Sequence, residues 1–211
     1  MNPTRFAIAG TGMPDVIQTV AAIESAGCNP LELVGFLDDN PANALRNLDK
    51  YRILGGFSWV SENIDIPIFN SIMRTTKLRK LTTAKLRDLG AVFISLIHPT
   101  ASVKFARVGR GCYVGKNVHL EFGSSIGDGS VVLANATIAH DSTIGRDCFV
   151  GSGVHVQGNV TIEDEVFIGA GTVIHPNVTV RSGTSIDNNG VISTDTRAGG
   201  SYFNRRMRYL G

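Results

Sequence analysis

Aliphatic residues recur at a constant spacing of six along the second half of the chain. From Val108 to Ile192, every sixth residue is Ile, Val or Leu, and fifteen successive positions follow this rule. The fourth residue after each of them is usually small or β-branched, as at Cys112 and Ser124. An amphipathic helix would repeat its apolar face every 3.6 residues and a single strand every 2, so neither explains this period. The pattern predicts a parallel β-helix in which three hexads form one triangular coil and the aliphatic side chains point inward.

Short apolar runs alternate with amphipathic segments in the first half of the chain. Residues 6–9 predict a strand, and a helix should follow from Pro14 to just before Gly27. Pro suits the first position of a helix, and Gly suits the residue after its last turn. Further strands are predicted at 33–37, at 51–54, within 64–72 and at 92–97, and a second helix at 77–89. This order predicts a small parallel α/β sheet with helices on its faces.

Three segments follow from these patterns. Residues 1–99 are expected to form a Rossmann-like α/β domain, residues 100–196 the β-helix, and residues 197–211 a segment that caps the last coil. The open ends of a stack of strands need such caps. The last segment carries four arginines, which can meet an anionic ligand or form a solvated face: Arg197, Arg205, Arg206 and Arg208.

Composition narrows the functional classes. The 211 residues are 43% hydrophobic and 18% charged, which permits a packed core. The net charge of +2 gives no case for a nucleic-acid or membrane-surface partner. No apolar run is long enough to span a bilayer, and the first residues lack the features of a signal peptide. Because Cys28, Cys112 and Cys148 are far apart and form no CxxC motif, we expect reduced, buried thiols in a cytoplasmic protein.

A His-Asp pair is the strongest candidate for catalysis. His140 lies two residues after Ile138 of the repeat, which places it at a corner of the coil with its side chain outward. A neutral imidazole there can take a proton from an attacking amine or hydroxyl. Asp141 can accept a hydrogen bond from the other ring nitrogen and raise the basicity of the imidazole. Gly158 follows one coil later and is expected to stack beside His140. The alternative from the sequence alone is a surface His-Asp pair at a turn.

A second candidate site lies where the first two strands end. A Gly-Thr-Gly turn joins the first strand to its helix, and backbone N–H groups of such a turn can approach a phosphate. Two aspartates end the second strand, where a carboxylate can meet a ribose or a base. An arginine near the end of a later strand can pair with a phosphate or fill the pocket. A purely structural role for the whole domain is the alternative. The candidate nucleotide-binding residues are Gly10, Thr11, Gly12, Asp38, Asp39 and Arg74.

Four motifs, taken in order, resemble those of one enzyme family. They are the Gly10-Thr-Gly12 turn, the strand end at 35–41, the His98-Pro99 junction, and Ile138-Ala-His-Asp141 followed by Gly158-Asn159. Together they span nearly the whole chain. The chain is similar to the bacterial left-handed β-helix sugar O- and N-acetyltransferases of the sialic-acid acetyltransferase type. This family includes enzymes that acetylate UDP- or GDP-linked 4-amino-sugars.

The resemblance implies acetyl-CoA as co-substrate, no metal, and a homotrimer with active sites between subunits. It assigns the general base to His140, its support to Asp141, and the contact with the thioester carbonyl to the backbone N–H of Gly158. The α/β domain would hold the nucleotide-sugar. Phe149 stands where relatives carry a second histidine, so the thioester pocket is expected to be more apolar or to take a different acyl group. The acyl-CoA contacts implied by the resemblance are Phe149, Gly158, Ala170 and Asn188.

Other classes fit the sequence less well. A Rossmann-type oxidoreductase would need a third glycine where Asp15 stands. A non-catalytic scaffold is a further alternative. We predict acetyl-CoA-dependent transfer to the amino group of a nucleotide-linked sugar in bacterial surface-glycan biosynthesis, with O-acetylation of a sugar hydroxyl as the near alternative. A zinc enzyme of the γ-carbonic anhydrase type needs two histidines five residues apart, a spacing that is absent among His119, His140, His155 and His175.

Overall fold

The computed structural model describes residues 3–11, 14–27, 31–43, 50–73 and 75–203. Its first part is a parallel sheet of four strands in the order β3-β2-β1-β4, as the alternating pattern predicted. Pro14 begins the first helix and Gly27 follows it with a φ of +66°, so both predicted helix limits are confirmed. The strands are β1 (Thr4–Ala9), β2 (Leu31–Leu37), β3 (Ile53–Gly55) and β4 (Ile68–Asn70). The helices are α1 (Pro14–Ala26), α2 (Trp59–Glu62) and α3 (Thr76–Asp88), with a 3-10 turn at Pro41–Asn43.

The segment between the two domains differs from its prediction. A single strand at 92–97 was expected to end the α/β sheet, and this prediction is wrong. Phe93 makes only an isolated bridge to Ile68 of that sheet. Strand β5 (Leu96–Ile97) instead pairs with the first full coil of the β-helix, and the Leu96 N–H donates to the carbonyl oxygen of Cys112. The chain therefore changes sheets between residues 93 and 96.

The rest of the described chain is a parallel β-helix of two-residue strands. Each of the fifteen repeating aliphatics is the second residue of one strand, and the strands pair one coil apart, as Val132 does with Val150. The strands are β6 (Arg107–Val108), β7 (Tyr113–Val114), β8 (His119–Leu120), β9 (Ser125–Ile126), β10 (Val131–Val132), β11 (Thr137–Ile138), β12 (Thr143–Ile144), β13 (Phe149–Val150), β14 (His155–Val156), β15 (Thr161–Ile162), β16 (Phe167–Ile168), β17 (Val173–Ile174), β18 (Thr179–Val180), β19 (Ser185–Ile186), β20 (Val191–Ile192) and β21 (Ser201–Tyr202).

These strands form the three faces of a triangular prism. The first face contains β5, β7, β10, β13, β16, β19 and β21, the second β8, β11, β14, β17 and β20, and the third β6, β9, β12, β15 and β18. We call the edge between the first and second faces the first corner. The second corner lies between the second and third faces, and the third corner lies between the third and first faces.

The corners show a regularity of their own. From residue 111 to residue 189, the third residue after each inward aliphatic has a positive φ. Asn, Asp or Gly occupies this position at every one of those corners except that of Glu165. Glycine has no Cβ to clash in this left-handed conformation, and Asn and Asp tolerate it better than other residues. The repeat is therefore marked at its corners as well as in its core.

The small-residue positions of the repeat lie inside the prism. Cys112 and Cys148 are free and buried, as predicted. Burial raises the pKa of the Cys112 thiol to about 11 and that of the Cys148 thiol to about 12. The backbone N–H of Cys148 donates to Ser130 Oγ of the coil before, at 2.9 Å. The predicted thiol of Cys28 lies outside the described residues.

The α/β domain packs against the first face of the prism. Tyr113 and Val131 point outward from that face and share one buried cluster with Phe6 and Phe69 of the α/β sheet. In a triangular prism, the second corner is the edge opposite the first face. The α/β domain of a chain and its own second corner therefore lie on opposite sides of the β-helix.

A buried arginine ties the two domains together. Arg79 of α3 is 2% exposed, and its guanidinium donates to the carbonyl oxygens of Asn70, Gly129 (2.6 Å) and Gly111 (2.8 Å). Desolvation lowers its pKa to about 10, from an ordinary value of 12.5. The two glycines belong to successive coils at the third corner.

No helix of the described segments has the length and apolar character needed to cross a membrane.

Candidate active site

His140 and Asp141 form a hydrogen-bonded pair at the second corner, directly after β11. His140 Nδ1 lies 3.1 Å from Asp141 Oδ2, and the two side chains are 56% and 58% exposed. Because a carboxylate only accepts, this contact assigns the proton of the neutral ring to Nδ1 and leaves Nε2 as an acceptor. Asp141 has a φ of +56°, the left-handed conformation found at the corners, and its carboxylate points back to the His140 ring.

Gly158 lies directly against the imidazole, which confirms the predicted stacking. A Cβ built on Gly158 would be 2.6 Å from His140 Nε2 and 2.7 Å from Cε1. The ring therefore occupies the space that any side chain at position 158 would need. The Asn159 N–H donates to the His140 carbonyl oxygen at 3.1 Å and holds the two coils in this register. The acceptor nitrogen Nε2 thus faces the backbone of Gly158.

The backbone N–H of Gly158 has no hydrogen-bond partner within the described chain. At two equivalent positions of the repeat, a glutamate nineteen residues earlier accepts this type of N–H. Glu121 Oε2 accepts the N–H of His140 at 2.9 Å, and Glu163 Oε2 accepts that of Ser182 at 2.8 Å. The corresponding residue for Gly158 is Ala139, which has no acceptor. An unpaired N–H donor and an acceptor nitrogen therefore belong to residues in direct contact.

Ala170 and Asn188 lie at the first corner, one coil apart. Asn188 Oδ1 accepts the Ala170 N–H at 2.9 Å, and both residues are exposed. These two predicted acyl-CoA contacts meet each other, but they lie across the second face from His140. Within one chain they do not join the His-Asp pair.

Phe149 lies elsewhere, on the outer side of the first face. Its ring stacks on that of Phe167 with a centroid distance of 5.0 Å and an interplanar angle of 8°. It also packs against the buried cluster of the α/β domain. Nine residues are half a coil, so Phe149 and His140 point away from opposite sides of the prism. Phe149 lines no pocket with His140 inside one chain.

The predicted sugar-nucleotide residues come together only in part. Thr11 Oγ1 donates to Asp38 Oδ2 at 2.8 Å, and the Asn40 N–H donates to Asp38 Oδ1 at 2.9 Å. Gly10 has a φ of +92°, and a Cβ there would lie 2.6 Å from Ile72, so the turn requires glycine. Gly10, Thr11 and Asp38 thus meet where β1 and β2 end. Two other predicted residues, Gly12 and Arg74, lie outside the described residues.

Asp39 points away from this turn. Its carboxylate accepts the Phe57 N–H at 2.7 Å and pairs with Lys85 Nζ at 2.6 Å. Burial alone would raise the pKa of Asp39, but hydrogen bonds from Lys85 and from the Phe57 N–H outweigh it and hold the pKa below its ordinary value. Asp38 and Asp39 therefore bond to different parts of the domain, and Asp39 stabilises the contact between α3 and the loop before α2.

The start of α1 lies beside the first corner of the prism. Thr19 Oγ1 and Tyr113 Oη are 2.9 Å apart and join the two domains. A cavity of about 140 Å³ opens there, and burial together with Lys116 lowers the pKa of His98 at its edge. The lining residues are Asp15, Gln18, Thr19, His98, Tyr113, Lys116 and Ala134. The start of α1 and the predicted acyl-CoA contacts therefore border the same corner.

The other histidines of the repeat form no site with His140. His119 and His155 flank Thr137 on the second face, one coil below and one coil above it. Across the residues that the structure describes, no group of three His, Cys, Asp or Glu side chains is placed to hold a metal ion. Sequence reasoning missed Glu121, whose position one coil before Ala139 was the available signal.

Models of two repeat families match the second domain. The family described as bacterial transferase hexapeptide (six repeats) matches residues 123–158 and 141–175. The family described as hexapeptide repeat of succinyl-transferase matches residues 106–139 and 159–194. No curated protein sequence matches the chain.

Solved structures match nearly the whole chain. The acetyltransferase domain of PglB from Neisseria gonorrhoeae is 27% identical and superposes with a TM-score of 0.82, over 96% of this chain and 98% of that one. The same domain in complex with acetyl coenzyme A gives 25% identity and a TM-score of 0.83, over 96% and 97%. PerB from Caulobacter crescentus, solved with CoA and GDP-perosamine, shares the fold with 22% identity and a TM-score of 0.82, over 95% of each chain.

The comparisons and the fold agree. The matched repeats coincide with the strands of the prism, and the superpositions include the α/β domain as well. They confirm the predicted left-handed β-helix behind a small Rossmann-like domain. The chain is therefore an acyltransferase whose repeats match hexapeptide transferase families and whose two-domain architecture is similar to that of the left-handed β-helix sugar acetyltransferases.

Proposed function

We propose that this acyltransferase transfers the acetyl group of acetyl-CoA to an amino group of a nucleotide-linked sugar, in the biosynthesis of a bacterial surface glycan. The observation that carries the proposal is the contact of His140 Nε2 with Gly158, whose N–H is unpaired among the described residues. The similarity to a domain solved with acetyl coenzyme A supports the choice of donor. The free, buried Cys112 and Cys148 fit the reducing cytoplasm, which we propose as the location.

The proposed reaction uses both groups of this contact. The amine nitrogen attacks the thioester carbonyl carbon and forms a C–N bond. The Gly158 N–H donates to the carbonyl oxygen as that oxygen becomes negative. His140 Nε2 takes the proton from the attacking nitrogen, the C–S bond breaks, and the CoA thiolate takes the proton from His140. Asp141 keeps Nδ1 protonated and stabilises the imidazolium that forms between these two transfers.

We further propose that the working enzyme is a homotrimer in which neighbouring chains build each active site. The start of α1, which follows the phosphate turn in the chain, and the predicted acyl-CoA contacts border the first corner, whereas His140 lies at the second corner. One chain therefore does not bring donor, acceptor and base together. If the first corner of one chain faces the second corner of its neighbour, all three meet. Phe149 would then act through the packing of the α/β domain.

Complementation between two inactive variants tests this arrangement. Ala170→Glu places a charge at the first corner, and His140→Ala removes the base from the second corner. Each variant alone should be inactive. Co-expressed chains should regain activity, because mixed trimers contain some interfaces with both corners intact. An absence of recovery in mixed trimers of verified composition would place the site within one chain.

An acceptor screen tests the reaction itself. Thiol release from acetyl-CoA would be followed with UDP-, GDP- and dTDP-linked 4-amino-sugars and with sialic acid, and the products identified by mass spectrometry. We expect release above the acceptor-free rate with at least one amino-sugar nucleotide, and an amide product. An ester product formed only with a hydroxyl acceptor would refute the amine assignment.

A further inference from the structure

Two glutamates hold equivalent places at different corners of the prism. Glu121 follows β8 and accepts the N–H of His140, whereas Glu163 follows β15 and accepts the N–H of Ser182. Both bonds span nineteen residues and use Oε2. The two sites therefore allow a comparison within one chain, because the backbone task of the carboxylate is the same.

Glu163 Oε2 also accepts a hydrogen bond from Ser182 Oγ at 2.9 Å, and the two carboxylates differ further in the partner of their second oxygen. Glu163 Oε1 accepts a hydrogen bond from Arg181 Nη1 at 2.9 Å, and this arginine lies one coil after the glutamate. The residue one coil after Glu121 is Ala139, which carries no charge. No described residue bonds to Glu121 Oε1. A carboxylate oxygen without a cation therefore lies at the corner that carries His140, where the parallel corner has an arginine.

We propose that Glu121 binds the ammonium group of the acceptor sugar in the place that Arg181 takes beside Glu163. This inference rests on the proposed function and names the group that selects an amine. An ammonium donates up to three hydrogen bonds and carries a positive charge, so a bond to a carboxylate is stronger than that of a neutral hydroxyl. The same oxygen thus favours an amino-sugar over its hydroxyl counterpart.

Protons balance along this path. The bound ammonium first loses one proton to solvent, and the neutral amine still donates a hydrogen bond to Glu121. After the nitrogen attacks the thioester, its second proton passes to His140 Nε2 and then to the CoA thiolate. The net reaction converts the ammonium and acetyl-CoA to an amide, CoA and one proton. Because Glu121 interacts most strongly with the ammonium before reaction, it acts mainly on the KM of the acceptor.

Glu121→Gln separates binding of the substrate from support of His140. The Gln amide oxygen can still accept the His140 N–H, but the charge is gone. We expect the Kd and KM for the amino-sugar nucleotide to rise about ten- to a hundredfold, since a charge-assisted hydrogen bond is lost. The KM for acetyl-CoA should not change. The Ki of the matched 4-hydroxy sugar nucleotide, measured as a competitive inhibitor, should also not change. Glu163→Gln is the control variant and should leave all four constants unchanged.

Direct binding measurements keep this test independent of turnover. Calorimetric titration of wild-type protein with the amino and hydroxy sugar nucleotides should show tighter binding of the amino form, and Glu121→Gln should remove that preference. Equal binding of both sugars by the wild type, or an unchanged preference in the variant, would overturn the assignment. A loss of kcat without a change in amino-sugar affinity would leave Glu121 as a positioning residue for His140. Acetylation of the amino-sugar by the wild type, together with a preference for the amino form that persists in Glu121→Gln, would refute the role of Glu121 and leave the proposed acetyltransferase function standing.

Discussion

Replacing Gly158 by Ala perturbs the proposed base with the smallest possible change. The corner accepts alanine, because Ala134 and Ala170 occupy the equivalent position after their own inward aliphatics. Gly158 has no positive φ, so an added Cβ causes no backbone strain there. What it meets is the imidazole of His140. The fold should therefore persist while the catalytic geometry changes.

The size of the effect follows from the contact distance. The added methyl carbon would lie 2.6 Å from His140 Nε2, whereas ordinary van der Waals contacts begin near 3.4 Å. The ring must shift by about 1 Å, and a misplacement of this size lowers a catalysed rate about 10²-fold. The shift also moves the ring across the path to the Gly158 N–H. We therefore expect kcat/KM to fall by about 10²-fold or more.

The assay combines thiol release with a thermal melt. Gly158→Ala should lose activity with the best acceptor while its Tm stays close to that of the wild type. Arg146→Ala changes the same position of a hexad at the third corner, and it should retain both activity and Tm. The added methyl group forces the His140 ring out of its position. Unchanged activity in Gly158→Ala would therefore refute the assignment of His140 as the base in this geometry.

Three further predictions concern the pair, the domain contact and the buried thiols. Asp141→Asn should keep the fold, since Asn tolerates a positive φ, but kcat should fall less than in a variant without His140, as measured by thiol release. Arg79→Met should lower the free energy of unfolding by about 3 kcal/mol or more in urea titrations, because buried carbonyl oxygens lose their donor. Burial raises the Cys148 pKa from 9.0 to about 12. The folded state thus binds this proton more tightly, and stability should be complete below pH 9 and fall as the pH rises above it. Cys148→Ala should weaken that fall, and the fold should tolerate it because Ala136 occupies the same position of its hexad. An unchanged dependence of stability on pH would contradict the assignment of the fall to the Cys148 thiol.

The β-helix was predictable because its signal is local and repeated. One inward aliphatic per hexad, from Val108 to Ile192, locates each strand from β6 to β20, and the period places His140 at a corner with Gly158 one coil away. The repeat fixes neighbours at intervals of six and eighteen residues. Any contact that depends only on those intervals, such as that of His140 with Gly158, can be read from the chain.

Contacts between domains were not predictable in the same way. Residues 92–97 have an apolar pattern that indicates a strand, but that pattern does not say which sheet supplies the partner, and Leu96 joined the β-helix. The outward side of Phe149 carries no sign of the domain that covers it. Arg79 reads as a surface residue of a helix, and only the packing of α3 on the third corner buries it.

The site was predictable in its centre and less so in its surroundings. His140, Asp141 and Gly158 follow from the repeat together with the family resemblance. Glu121 was missed because its partner is a backbone N–H, which no residue type marks, although the repeat places Glu121 one coil before Ala139 and so next to His140. In the α/β domain, Thr11 and Asp38 do meet, but Asp39 turns to Lys85 because α3 lies on that side of the loop.

The kcat of His140→Ala tests the central claim most directly. With the best acceptor from the screen, removal of the base should lower kcat by about 10²–10⁴-fold. The Kd of acetyl-CoA and the Tm should match those of the wild type, because the ring is more than half exposed and supports no core contact. A kcat equal to that of the wild type would contradict the account, since the other histidine at the second corner, His175, follows β17, two coils beyond the strand that precedes His140.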